Sequence, residues 1–377
     1  MTSGLTLDRL RARARHATLF PPATLAEAID RLGFVQADPI RAPARAQDLI
    51  LRHRVRGYRA GDLDRGFARL GLEEDFLHAY GFMPPETRAL LHPRHDPESA
   101  GPHAPAGLAA EVLAFVRAHG PTHPRDLEQR FGRDRAVNGW GGFSKATTRA
   151  LESLRHYGLL RVVARRDGIR IYAPATPPPA SLDPTERLQR IVLLLAGILA
   201  PVSAVSLRGA LALVAQRNPD LRAIAPVIET ALRRGALERA VVEGETYLWP
   251  AASGDRPDGP VPRDVRLLAP FDPLVWDRRR FAHLWGWEYR FEAYVPPARR
   301  QLGYYAMPLL WGDAVIGWAN VALREGRIEA SLGYAGRAPR SAAFRRALDA
   351  ELARMERFLA ARRTARREDT DAEAAAP

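Results

Sequence analysis

The segment SKATTRALESLRHYGLLRVVARRDGIRIY (144–172) contains a helical pattern and two β-rich runs in direct succession. Ser144 is a candidate N-cap and Gly158 a candidate left-handed stop, so we predict a helix between them. The runs LLRVVA (159–164) and IRIY (169–172) follow, and the Asp-Gly pair before the second run is typical of a hairpin turn. The segment therefore predicts a helix that leads into a two-stranded hairpin.

The same layout recurs further along the chain, which indicates an internal repeat. VIETALRRG (227–235) predicts a helix, and LERAVV (237–242) and ETYLW (245–249) predict a hairpin with a Glu-Gly turn. Two further helical segments precede each copy, at 111–119 and 124–131 in the first and at 185–198 and 206–217 in the second. Three helices followed by a hairpin are the layout of a winged helix, a helix-turn-helix variant.

The remaining segments complete the prediction of an α+β fold, with tandem winged-helix (helix-turn-helix) domains and a C-terminal β-rich region. Strands are predicted at 289–295, 303–310, 314–323 and 328–332, a closing helix at 341–362, and Pro- or Gly-rich linkers at 173–181 and 251–263. The predicted domains are an N-terminal helical/winged-helix domain (1–105), a middle winged helix (106–176), a third winged helix (182–250), a C-terminal β-rich domain with its helix (262–363) and a disordered tail (364–377).

Composition limits the classes of partner and chemistry. The 377 residues carry a net charge of +13, which favours a polyanionic partner, although Lys145 is the only lysine and arginine identity is therefore weak evidence. The chain has no cysteine, which excludes disulfides, thiolate metal sites and cysteine nucleophiles. It has no apolar run of membrane-spanning length and no secretory signal pattern. We therefore expect a cytoplasmic, nucleoid-associated protein.

The N-terminal third brings a carboxylate and an amide close together. TLAEAIDRLG (24–33) predicts a capped helix, and GFVQADPI (33–40) follows as an extended piece. In a strand, residues i and i+2 share a face, so Gln36 and Asp38 would stand side by side. They are either a catalytic pair or a structural one, in which Asp38 caps the following turn and Gln36 bonds to the backbone. Residue types alone favour the structural alternative.

Three pieces of the sequence resemble one family. They are LGFVQADPI (32–40), FLHAYGFMP (76–84) and LLAPFDPLVWDRRR (267–280), the last followed by GWEYR (286–290) and GYYAMP (303–308). Together they resemble the winged-helix DNA glycosylases of the YcaQ/AlkZ type, which unhook alkylated and crosslinked bases. The resemblance spans nearly the whole chain, and its tandem winged helices agree with the repeat.

The resemblance implies that Asp38 and Gln36 are catalytic in the hydrolysis of N7-alkylated purines. Asp38 would stabilise the positive charge that develops on the sugar or accept a proton from water, and Gln36 would hold that water. A glycosylase that also cuts the backbone usually needs an amine for a Schiff base. Only Lys145 and the N-terminal amine are available, and Lys145 is expected to contact a phosphate, so we predict a monofunctional enzyme.

The predicted DNA contacts are basic residues near these motifs. Arg278 and Arg279 have a structural alternative, an ion-pair cluster with Asp277, and His78 matches a family histidine although Ala79 follows it where better-known members have Glu. The predicted set is Arg41, Arg45, Arg52, Arg54, His78, Lys145, Arg165, Arg166, Arg278 and Arg279.

No metal and no cofactor are expected. His119 and His123 are separated by Gly120 and Pro121, which prevent the helix that would aim both at one ion, and no phosphate-binding glycine loop occurs. The expected partner is double-stranded DNA with alkylated bases, with no membrane, and the protein is expected to be a monomer. The alternatives are a non-enzymatic winged-helix DNA-binding protein or transcriptional regulator, and a protein-interaction scaffold.

Overall fold

The computed structural model describes residues 5–94, 105–137, 143–166, 168–175, 182–253 and 262–374. It divides into two compact units. The first unit comprises Met1–Leu63, Val192–Gly209 and Ile228–Pro377, and the second comprises Asp64–Ile191 and Ala210–Val227. Among the described residues, no helix is long and apolar enough to cross a membrane.

Helices and strands alternate irregularly along the chain, as an α+β fold requires. The helices are α1 Leu7–Thr18, α2 Leu25–Leu32, α3 Ala46–Leu51, α4 Asp62–Gly66, α5 Pro85–Ala89, α6 Leu108–His119, α7 Pro124–Phe131, α8 Ala146–His156, α9 Pro184–Ile198, α10 Ala204–Arg217, α11 Ile224–Arg233, α12 Pro273–Trp276, α13 Arg278–Trp285 and α14 Ala342–Ala374. The strands are β1 Val35–Gln36, β2 Glu73–Phe76, β3 Tyr80–Met83, β4 Arg135–Val137, β5 Phe143–Lys145, β6 Leu160–Arg166, β7 Ile169–Pro174, β8 Val202–Ser203, β9 Leu237–Val242, β10 Glu245–Pro250, β11 Val265–Leu267, β12 Met307–Trp311, β13 Ala314–Arg324 and β14 Arg327–Tyr334.

The repeat predicted from the sequence has the expected order of elements. Helices α6 to α8 precede the antiparallel hairpin β6–β7, and α9 to α11 precede the antiparallel hairpin β9–β10. The Asp-Gly turn lies partly outside the described residues, as do parts of both linkers (176–181 and 254–261). The winged-helix assignment of the two copies and the predicted domain boundaries stay predictions.

Other segments differ from the sequence-based expectation. The predicted strand at 289–295 is a loop, because Tyr289 and Glu292 direct their polar atoms to buried partners in the 301–306 segment rather than alternating across a sheet. The amphipathic pattern of PARAQDLILRHRVRG (43–57) predicts a helix over the whole segment, but the helix there is limited to α3. Strand β11 was not predicted, and α14 continues past the predicted end at 362 into the segment expected to be disordered.

The first unit is built around a sheet and an aromatic-rich core. Strands β11 to β14 form an antiparallel sheet in chain order, and β10 lies between β8 and β9 in a second antiparallel sheet. The core joins residues of α1, β10, α12, α13 and β12, and Phe281 lies at its centre with three aromatic rings around it (Trp285, Trp287 and Tyr289). The N-terminal helix is thus held by residues from the C-terminal third of the chain.

Four buried charged residues connect the segments of the first unit; Arg54, Asp272, Asp277 and Arg280 are called the inner polar cluster below. Arg54 and Asp272 form a two-pronged ion pair at 2.8 and 2.9 Å, with both side chains fully buried. Arg54 also donates to the carbonyl oxygens of Thr18 and Ile50. Each of these donors loses its hydrogen bonds to water on burial. A buried acceptor replaces them in each case.

The other half of the inner polar cluster holds the second repeat. Asp277 caps α13 through the Arg280 N–H at 3.0 Å and accepts the Ser206 hydroxyl at 2.7 Å. Arg280 donates to four carbonyl oxygens, including that of Pro273 at 2.6 Å and that of Leu199. The segment 272–280 therefore fixes its own helices and the start of α10 together.

The second unit has a separate ionic core on β2. Glu73, Glu74 and Asp75 are consecutive and all buried. Asp75 lies 3.1 Å from both Arg94 and Arg155 and 2.7 Å from His92. Burial raises the pKa of Asp75, but Arg94, His92 and Arg155 outweigh burial and hold it well below its usual value. Asp75 is therefore ionised and paired at neutral pH.

Asp272→Asn is expected to lower the free energy of unfolding by about 3–5 kcal/mol. The amide keeps the shape of the side chain but leaves the Arg54 guanidinium buried without a counter-charge. The measurement is urea unfolding followed by circular dichroism.

The matched control is Glu245→Gln, which breaks the 2.6 Å pair with the exposed Arg279. Solvent screens this pair, so we expect almost no change in the urea midpoint. Equal destabilisation by the two substitutions would contradict the assigned importance of the buried pair.

Candidate active site

The turn after α2 sets the direction of the chain into Gln36. Thr24 and Glu27 form the predicted capping box at the start of the helix, and Gly33 ends it with a φ of +66°. A Cβ at Gly33 would lie 2.5 Å from the Leu194 Cδ1 atom, so this close approach requires glycine. The predicted capping box and left-handed stop are both confirmed.

The extended piece that carries the pair is shorter than predicted. Strand β1 contains only Val35 and Gln36, and Asp38 lies beyond it. Phe34 and Val35 are both buried, so the segment is covered on both sides. Asp38 is held instead by two contacts: its N–H donates to Gln47 Oε1 at 3.3 Å, and its Oδ1 accepts the Ile40 N–H at 2.9 Å.

The Ile40 contact is the turn-capping role that the structural alternative assigned to Asp38. It engages one carboxylate oxygen. Burial raises the pKa of Asp38, and the Ile40 N–H offsets only part of that rise. A half-buried carboxylate of this kind interacts more strongly with a nearby positive charge than one in water does.

The side-chain oxygen of Gln36 differs from that of Asp38. Its Oε1 is buried and has no hydrogen-bond partner among the described residues. Buried amide oxygens almost always have a partner, so this acceptor is a candidate ligand contact.

A cleft of about 810 Å³ opens beside this segment. Residues from the loop after Asp38 form one side, and residues of β13 and β14 form the other. The lining residues are Arg41, Ala42, Pro43, Tyr304, Tyr305, Asn320, Val321, Ala322, Leu323, Arg324, Glu329, Ala330 and Ser331. We call this space the Tyr305 cleft.

The loop that places Tyr305 in the cleft is held by a buried carboxylate. Glu292 Oε2 accepts the N–H groups of Gln301, Leu302 and Gly303 at 2.9, 2.7 and 3.1 Å. Burial raises the pKa of Glu292, but these three donors outweigh it and lower the pKa. Asn320 adds a bond from Nδ2 to the Leu302 oxygen at 2.7 Å. The loop is therefore rigidly attached to β13.

Three of the predicted DNA contacts are arginines that bond to groups of the fold itself. Arg54 is fully buried against Asp272, and Arg52 is almost fully buried against Glu351 and the Leu267 oxygen. Arg278 donates to the Val275 and Pro270 oxygens and stacks on Tyr289. The Arg54 guanidinium has no exposed surface with which to contact DNA, so its predicted role is corrected to a structural one. The predicted DNA contacts of Arg52 and Arg278 stay predictions.

The other predicted contacts differ in how accessible they are. Arg41 and Arg166 are exposed, and Arg279 is exposed but paired with Glu245. Arg45 lies 3.4 Å from Asp48, Arg165 is paired with Glu74, and Lys145 lies 2.6 Å from Glu128. His78 is buried, which lowers its pKa to about 3 and makes it neutral at physiological pH. None of these residues is assigned to DNA by its contacts alone.

The part of the chain that the structure describes contains no group of three or more histidine, aspartate and glutamate side chains that could hold a metal ion.

Comparison with known proteins gives the family. The model of the AlkZ-like DNA glycosylases matches residues 29–358, a range that contains both Gln36 and the Tyr305 cleft. The chain belongs to the AlkZ-like DNA glycosylase family. Membership supports a hydrolase that releases bases in DNA repair, with DNA as its substrate.

A solved structure shows the same fold in a distant protein. The DNA glycosylase AlkZ of Streptomyces sahachiroi aligns with a TM-score of 0.62 over 94% of this AlkZ-like chain and 97% of its own. The sequence identity is 15%, so this likeness concerns the fold.

Sequence reasoning assigned no role to three residues that shape the site, Tyr305, Glu292 and Asn320. The motif GYYAMP (303–308) resembles a motif of the family, but the sequence alone does not show which residues its tyrosines contact. The contacts that reveal them join residues far apart in the chain, such as Asn320 with Leu302.

The two environments of Asp38 and Asp264 are expected to separate their titrations in this AlkZ-like protein. Asp38 should titrate above 3.8 because of burial, whereas Asp264 should titrate below 3.8 because Arg15 and Arg266 outweigh the effect of its burial. Carboxyl ¹³C NMR measures both midpoints, and spectra of Asp38→Asn and Asp264→Asn assign the signals. An Asp38 midpoint at or below that of Asp264 would contradict the assigned burial.

Proposed function

We propose that this protein hydrolyses the N-glycosidic bond of N7-alkylated purines in double-stranded DNA, with Asp38 and Gln36 as the catalytic residues. The observation that carries the proposal is the half-buried Asp38, whose pKa is raised, beside the unpaired Gln36 oxygen. Carboxylates with a perturbed pKa are frequent at catalytic sites, and the loop that follows Asp38 lines the Tyr305 cleft. The match to the glycosylase family over this segment supports the same assignment.

The substrate explains why so few groups suffice. Alkylation at N7 gives the purine a positive charge, so the base leaves as a neutral molecule without a strong general acid. The sugar then becomes positively charged in the transition state, and a carboxylate in a partly dehydrated site stabilises that charge. Asp38 also accepts the proton of the attacking water, while Gln36 Oε1 accepts a hydrogen bond from that water.

The proposal also covers DNA binding, oligomeric state and the range of substrates. The two repeats, 106–176 and 182–250, act as winged helices that bind duplex DNA, with the exposed Arg41 and Arg166 as phosphate contacts. The protein acts as a monomer near the nucleoid, and its substrates extend to interstrand crosslinks formed through N7.

The rival function is a DNA-binding protein without enzymatic activity. The Ile40 contact favours it, because this contact gives Asp38 a structural task. An asparagine at position 38 keeps an oxygen for the Ile40 N–H and removes only the charge. Asp38→Asn therefore separates the two functions.

Asp38→Asn is expected to slow release of N7-methylguanine from duplex DNA by about 10²–10³-fold, because the charge that stabilises the sugar is lost. Single-turnover assays with alkali cleavage of the abasic product measure the rate. The rate of the unmodified protein should fall as pH falls through the raised pKa of Asp38, since only the ionised form acts.

The matched control is Asp30→Asn, which removes the same charge from an exposed position on α2. It should leave both the rate and the DNA affinity unchanged. If the unmodified protein binds DNA with a steep salt dependence but releases no base, the regulator is the better explanation.

We further propose that the enzyme is monofunctional. Lys145, the only lysine, lies 2.6 Å from a Glu128 carboxylate oxygen, and this ion pair occupies the amine that a Schiff base would need. Borohydride added during the reaction is expected to trap no covalent adduct with DNA. Lys145→Ala should release base at the normal rate. A trapped adduct that disappears in Lys145→Ala would refute monofunctional hydrolysis.

A further inference from the structure

Tyr305 has a buried hydroxyl that the fold does not use. Its side chain is 2% exposed, and its ring packs edge-on against Phe291 with 5.5 Å between ring centroids. The Oη atom is buried and has no hydrogen-bond partner among the described residues. Buried tyrosine hydroxyls usually find a partner, and phenylalanine would fill the same space without an unpaired polar group.

The position of this hydroxyl is imposed by its surroundings. The loop directly before it is fixed by the three N–H bonds to Glu292. Gly303 has a φ of +115°, and a Cβ there would lie 2.4 Å from Asn320 Oδ1. Because the backbone has no freedom to move the ring away, the unpaired hydroxyl is a fixed feature of the Tyr305 cleft.

Tyr305 lines the same cleft as the loop that follows the proposed catalytic carboxylate, Asp38. Burial and the charge of Asp38 both raise the pKa of Tyr305, so the phenol stays protonated and acts as a donor. Tyr289, Tyr294 and Tyr304 also act on the pKa of Tyr305. Arg41, from the loop after Asp38, lines the same cleft.

We propose that the Tyr305 hydroxyl donates a hydrogen bond to the water that attacks the sugar, as the third group around that water after Gln36 and Asp38. The inference rests on the proposed function. A water molecule has two hydrogens and two lone pairs. Gln36 Oε1 and Asp38 each accept one hydrogen, and Tyr305 donates to one lone pair. The second lone pair is left to attack C1′.

The step balances with these groups alone. The water oxygen forms a bond to C1′, and one of its protons passes to the Asp38 carboxylate. The bond between C1′ and N9 breaks, and its electron pair stays on N9, where it neutralises the positive charge of the alkylated purine. Tyr305 keeps its proton and fixes the direction of the attacking lone pair.

Tyr305→Phe tests the proposal, with Tyr247→Phe as a matched control. Tyr247 is fully buried, but its hydroxyl is already paired with His283 Nδ1 at 2.6 Å. Tyr305→Phe is expected to reduce single-turnover release of N7-methylguanine about tenfold while leaving Tm unchanged or higher. Tyr247→Phe should do the opposite, lowering Tm and leaving the rate unchanged.

The pH profile gives an independent readout. In Tyr305→Phe the acid limb of the rate is expected to move to higher pH, because an apolar ring replaces a dipole near Asp38. A rate and an acid limb equal to those of the unmodified protein would overturn the role of Tyr305 while leaving that of Asp38 standing. A rate loss accompanied by a fall in Tm like that of Tyr247→Phe would overturn it too. If the unmodified protein itself releases no base, the proposed function fails, and this inference fails with it.

Discussion

The first unit depends on the buried ion pair between Arg54 and Asp272. The two residues are 218 positions apart in the chain, and no solvent screens the pair. Such a pair is expensive to bury and still more expensive to break, because either partner alone would be a bare charge in the interior. The N-terminal segment that carries Asp38 is therefore held in one arrangement against the segment that begins at Asp272. A purely apolar contact would permit sliding, whereas a two-pronged pair does not.

The same part of the chain also builds the cleft. The segment after Asp272 contributes Asp277 and Arg280 to the inner polar cluster, and Glu292 then fixes the loop that carries Tyr305. Gln36 and Asp38 can form one site with Tyr305 only if the two segments are attached to the same rigid frame. The inner polar cluster supplies that frame. This role explains why Arg54 and Arg280 are buried in a highly charged chain.

Local signals in the sequence predicted the local structure well. The capping box of Thr24 and Glu27, the stop at Gly33 and the strand at 237–242 were all read correctly, because each depends on residues within one turn or one hairpin. Arg54 shows where this reasoning ends. Its guanidinium meets a carboxylate more than two hundred positions away, and an amphipathic pattern does not distinguish a buried arginine from an exposed one when nearly every cation is arginine. The sequence did not single out Tyr305 either, because the surroundings of its hydroxyl are formed by residues far apart in the chain.

The unpaired polar atoms of the proposed site have an energetic cost. An unpaired buried donor or acceptor costs about 1–3 kcal/mol, and Gln36 Oε1 and Tyr305 Oη both carry that cost. A fold selected for stability alone would have replaced Tyr305 by phenylalanine. The cost is tolerable because the inner polar cluster and the Glu292 bonds hold the surrounding backbone, so neither group can relax to find a partner within the protein. Groups that are destabilising in the free protein and satisfied only by a ligand are typical of preorganised sites. Gln36 lies two positions before the carboxylate to which we assign the chemistry, and Tyr305 lines the cleft beside that segment.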